Sequence, residues 1–122
     1  MKKWAVLAVF LSFPSLAADD GEMTGGQFAS GCNYDAVARE HREFLRTSCM
    51  SFLRGFLAYQ AVIVAMVGKE ARIYCIPAEG TTLESIRLAV LLGAQKHPEA
   101  PSAGSLVMTA LAESFPCPAP GK

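Results

Sequence analysis

Four cysteines, Cys32, Cys49, Cys75 and Cys117, stand behind a short export leader, and together these features constrain the fold more than anything else in the chain. Met1-Lys2-Lys3 supplies positive charge, Trp4 to Phe13 is an apolar run, and Ser15-Leu16-Ala17-Ala18 offers small residues for cleavage after Ala17. Those are the three parts of a secretory signal peptide. The apolar run is too short for a spanning helix, which needs roughly 20 residues. No cysteine follows the cut to accept a lipid, so residues 1–17 are read as a leader and no membrane association is expected after cleavage. An even number of cysteines in an exported chain predicts two disulfides in an oxidising compartment, here the periplasm. Free buried thiols and a zinc site are the alternatives. Zinc sites usually contain a close cysteine pair, whereas the nearest two cysteines here are 17 positions apart.

The remaining residues, 18–122, suit one domain with a modest core, and the ordered part is expected over about 27–118. Removing Lys2 and Lys3 leaves nine basic against eleven acidic residues, a net charge of −2. The basic residues are scattered, so the clustered face that a nucleic-acid partner requires is not expected.

The apolar spacing is helical throughout and predicts an all-α domain of four to five helices. Thr24 can cap a short first helix running through Phe28 to Cys32, and Asn33 suits a left-handed stop. From Tyr34 to Val67 there is no proline. Leu45, Cys49, Phe52, Leu53, Phe56, Gln60, Ile63, Val64 and Val67 recur at steps of three and four, marking one face of a long helix. Gly55 lies within it, either for close approach by another helix or as a tolerated cost of up to about 1 kcal/mol against alanine. Gly68 ends the helix, Lys69 to Arg72 forms a polar turn, and Ile73 to Pro77 runs extended. Thr81 and Glu84 have the spacing of a capping box. Leu83, Ile86, Val90 and Ala94 form the inner stripe of the third helix, with Leu88 and Leu92 expected to widen it. Pro98 stops that helix. A fourth starts near Pro101-Ser102, buries Ala103, Leu106, Val107, Ala110 and Leu111, and ends at Phe115-Pro116. The tail from Pro118 is expected to be disordered.

Helices three and four should form an antiparallel hairpin. Cys75 precedes one and Cys117 follows the other, so their positions predict a Cys75–Cys117 bridge. Cys32 and Cys49 flank the segment between helix one and the body of helix two, which predicts Cys32–Cys49. Four cysteines by themselves allow three connectivities.

No constellation points to catalysis, a cofactor or a metal. The histidines are His41 and His97. A Cys75–His97 pair would need a free thiolate, which a disulfide removes. His97 at a helix end, where a charged imidazole favours the dipole, is the plainer role. Glu40 and Glu43, with Arg39, His41 and Arg42, read as a solvated charged face. No nucleophile elbow, phosphate loop or dinucleotide fingerprint appears. A binding role is expected instead. Tyr59, Met66, Leu92 and Met108 lie off the main stripes or at their edges. The polar loops at Lys69, Glu70 and Arg72 and at Lys96, His97 and Glu99 are candidate partner contacts.

Three segments together resemble the type VI secretion amidase immunity family, the Rap/Tai group. They are Cys49-Met50-Ser51-Phe52-Leu53-Arg54-Gly55-Phe56, then Tyr74-Cys75-Ile76-Pro77 with Gly80-Thr81-Thr82, and His97-Pro98-Glu99 followed by Ala110-Leu111 and Phe115-Pro116-Cys117. Order and spacing match over about residues 27–118. The resemblance implies a small helical periplasmic protein, often a homodimer, that blocks the active site of a secreted peptidoglycan amidase. Thr81 stands where that family usually has valine, and the segment between Cys32 and Cys49 is strongly charged, features that would set which toxin is bound. A second reading is a periplasmic stress or chaperone-like accessory protein, similar in size and helix content to the acid-stress protein HdeA and without a toxin partner.

Overall fold

The computed structural model describes residues 22–119. The leader and the last three residues of the tail lie outside them. Four α-helices follow in order: α1 (Gly25–Cys32), α2 (Arg39–Val67), α3 (Leu83–Lys96) and α4 (Ala103–Ser114). Short 3-10 turns precede and follow α2, at Tyr34–Ala36 and Lys69–Ala71. There is no strand among the described residues.

Helix starts follow local side-chain chemistry. Thr24 caps α1 in a capping box closed by Gln27. Ser102 caps α4 by accepting from the Ser105 amide. At α3 the box is one residue later than the sequence suggests: Thr82 is the cap and Ser85 closes it. Glu84, expected to close the box from Thr81, instead turns toward Arg87. At the other end of α1, Asn33 stops the helix at φ −90°, so the expected left-handed stop does not occur. The chain passes directly into the 3-10 turn, and α2 begins at Arg39. Gly68 ends α2 at φ +122°, a conformation that favours glycine.

The core lies where α1, α3 and α4 meet the middle of α2. Leu53, Val90, Leu106, Val107 and Leu111 are fully buried, each worth roughly 1.5–3 kcal/mol of burial. All five residues of the expected α4 stripe are buried. Gly93 lets α3 and α4 come together, since a Cβ there would fall 2.5 Å from the Ala110 Cβ. Gly55 has no such neighbour within 4 Å, so its place in α2 is a tolerated one. The two disulfides pair Cys32 with Cys49 and Cys75 with Cys117, with Cα separations of 5.2 and 4.9 Å. The first fastens α1 to α2. The second joins the segment before α3 to the segment after α4, beside a backbone bond from the Cys75 amide to the Phe115 carbonyl.

One charge is buried among these apolar groups. Arg87 is 3 % exposed, while Leu88 and Leu92, expected to widen the buried stripe, are about half exposed. The guanidinium donates to the Cys32 carbonyl at 2.7 Å, pairs with Glu84, reaches Asp35 at 3.4 Å, and lies 4.4 Å over the Tyr34 ring. It satisfies a carbonyl that the end of α1 leaves open and draws Tyr34 and Asp35 into the turn that delays α2. Hydrogen bonding to Arg87 holds the Glu84 carboxyl below its ordinary pKa.

Candidate partner-binding surface

The 29 residues of α2 extend about 43 Å at 1.5 Å per residue. Of these, Cys49 and Leu53 are buried. Length and composition would also suit a membrane-crossing helix, but the Cys32 bridge and Leu53 tie its first half into the core. The second half leaves apolar groups in solvent: Tyr59 is 66 %, Met66 78 % and Val67 69 % exposed. Val67, expected on the inner face, is thus an outward residue, because none of the described residues covers it. Exposed apolar area of this kind, rimmed by charge, is the usual mark of a protein-binding site.

An aromatic ladder fixes the other side of the helix. Phe28, Phe52, Phe56 and Tyr74 stack in sequence with ring centroids 4.6, 6.3 and 6.2 Å apart. Gln60, a polar residue within the apolar stripe, clamps the extended segment. It accepts from the Ile73 amide at 3.1 Å and donates to the Tyr74 carbonyl at 3.3 Å. This holds residues 72–78 alongside α2 and leaves a groove of about 770 Å³ between them, floored by Leu57, Val64 and Ile76 and edged by Arg54 and Arg72.

The two candidate loops are placed separately. Lys69, Glu70 and Arg72 sit at the end of α2, all three exposed, and Arg72 lines the groove. Lys96 ends α3, and His97 and Glu99 belong to the α3–α4 connection. No hydrogen bond or ion pair links the two loops among the described residues. The position of His97 at the end of α3 agrees with the helix-end role, and there its Nε2 lies 2.7 Å from a Glu113 carboxylate oxygen of α4, with Glu99 at 3.5 Å from Nδ1. Hydrogen bonding to Glu113 raises the imidazole pKa above its ordinary value. A group with a raised native pKa stabilises the fold below its unfolded pKa, near 6.5, and loses that contribution as pH rises through the native value. The melting temperature of His97→Gln should therefore lie below that of the unmodified chain at pH 6 and converge with it at alkaline pH. Equal differences at both pH values would show that the clasp is not titrating.

Arg54 and Gln60 complete the surface beside the loop residues. Gln60 falls by spacing on the expected inner stripe of α2, and Arg54 belongs to the family-like segment Cys49 to Phe56, but neither was expected as a site residue. Among the described residues no cluster of three or more His, Cys, Asp or Glu side chains could hold a metal ion. The arrangement offers shape, apolar area and two arginine cations.

A family model for Rap1a immunity proteins matches residues 24–117, all four helices and both disulfides. The chain belongs to the Rap1a immunity protein family. Neither the curated proteins nor the solved structures hold a significant match. Membership in the Rap1a family implies a protein partner, a secreted effector, and an inhibitory rather than a catalytic task. The two disulfides suit an oxidising compartment. In this Rap1a chain, the exposed half of α2 and the groove beside it are a candidate surface for such a partner.

Proposed function

We propose that residues 18–122 act in the periplasm as a single-domain immunity protein that binds a type VI-secreted peptidoglycan amidase and blocks its active site. The observation that carries this reading is the family match over residues 24–117. The leader, the disulfides and the uncovered apolar end of α2 support it. Lys69, Glu70 and Arg72 contribute the polar rim of the contact, and Lys96, His97 and Glu99 a second, separate rim. The binding is stoichiometric and involves no turnover.

The test is co-expression of the full chain with candidate amidase effectors exported to the periplasm, followed by size-exclusion chromatography of the extract. The expected result is protection from lysis by one effector, and an equimolar complex with it that has lost amidase activity. Lysis by every amidase tested, together with capture of many unrelated proteins that increases at acid pH, would replace this reading with the chaperone-like one.

A further inference from the structure

The groove beside α2 has a definite chemical character. Its charged lining residues are Arg54 and Arg72, and no carboxylate lines it. Glu79 lies on the same connection but is not among the lining residues. Neither arginine forms an ion pair among the described residues, in contrast to Arg87, whose charge is matched by Glu84 and Asp35. The floor between them is apolar. The backbone of the adjoining segment is already engaged: the Ile73 amide and Tyr74 carbonyl by Gln60, the Cys75 amide by Phe115. With the Ile73 and Cys75 amides and the Tyr74 carbonyl occupied, the side chains of the groove carry most of the recognition. Tyr74 backs the groove with a buried hydroxyl that has no hydrogen-bond partner among the described residues. Burial raises its pKa, so the phenol keeps its proton and remains a donor. The volume lies within the range of sites that enclose a compact ligand or a few residues of peptide.

We propose that this groove binds an extended segment of the partner protein bearing one carboxylate side chain between apolar residues, the carboxylate meeting Arg54 and Arg72. Guanidinium and carboxylate match in planar geometry, and their paired hydrogen bonds are about twice as strong as neutral ones. The apolar floor supplies burial for the flanking residues and reduces screening of the charges by water. The inference deepens the inhibitor reading and rests on it for the identity of the occupant as a protein.

A phage-displayed library of random heptapeptides, panned against the oxidised full-length mature chain, tests the chemistry without an effector. The enriched peptides should share one Asp or Glu flanked by apolar residues. Synthetic copies should shift the amide signals of Gln60, Ile73 and Tyr74 in nuclear magnetic resonance spectra. Arg54→Glu and Arg72→Glu should each weaken binding by roughly ten- to a hundredfold, the range expected for a charge-assisted pair. Arg39→Glu, exposed at the opposite end of α2 and outside the groove, should leave it unchanged. Both arginines are exposed, so the variants should fold, as an unchanged melting temperature would verify. Failure to enrich any sequence, enrichment of peptides lacking an acid, or binding that neither arginine variant weakens would overturn the proposal. Because the assay contains no amidase, any of those results would leave the immunity reading to its own protection test. A failed protection test would likewise not alter the peptide result.

Discussion

Reducing both disulfides is expected to unfold the protein at room temperature. The Cys32–Cys49 and Cys75–Cys117 bridges span 17 and 42 positions. On the chain-entropy model these closures stabilise by about 3 and 4 kcal/mol. Domains of this size hold a total of roughly 5–15 kcal/mol, so removing about 7 kcal/mol eliminates between about half and all of it. Circular dichroism with and without a reductant that leaves the peptide bond intact gives the measurement. Paired alanine variants separate the contributions: Cys75→Ala with Cys117→Ala should lower stability more than Cys32→Ala with Cys49→Ala. A reduced chain that still melted cooperatively near the oxidised temperature would show that the core alone sustains the fold.

Replacing Arg87 with alanine should cost about 2–4 kcal/mol. The change removes a long packed side chain and leaves the Cys32 carbonyl without its 2.7 Å donor. The acidic partners contribute less to this cost, because Glu84 and Asp35 are largely in solvent. Urea denaturation is the appropriate measurement, with Arg87→Lys as the comparison. Lysine keeps the charge but not the planar fork that reaches three partners, so it should recover only part of the loss. The pH dependence has a defined sign. Glu84 has a lowered native pKa, so its contribution is present above its unfolded value, near 4.3, and fades as pH falls through the native one. The gap between Arg87→Ala and the unmodified chain should therefore narrow below about pH 4. A gap independent of pH would assign the whole effect to packing and the carbonyl.

Arg87 also shows where the sequence stops being legible. It lies four positions after Leu83 and three before Val90, which places it on the inner face of α3. Its charge nevertheless argued for the surface, and the neighbouring Leu88 and Leu92 argued for the core. Periodicity was the better guide, because the carbonyl end of α1 offered the buried charge a partner that only tertiary structure creates. The α4 stripe and both disulfide pairings were readable because they follow from helix geometry and chain order. The outer end of α2 was not. Val67 fits the inner spacing, but spacing cannot tell whether any neighbour arrives to cover it. The groove was legible only in part. Spacing puts Gln60 on the inner stripe of α2, while Arg54 acquires meaning only when the segment around Arg72 is laid across from it.

The order of the two bridges bears on how the molecule is made. The first cysteine is joined to the second and the third to the fourth, and the two loops do not interlock. A polypeptide emerging amino-end first into an oxidising space presents Cys32 and Cys49 together before Cys75 has appeared. Oxidation at that moment can make only the native bond. When Cys75 and Cys117 follow, they are the two thiols left free. The native pairing is thus the one that sequential emergence favours, and non-native pairs require exchange with the bridge already formed.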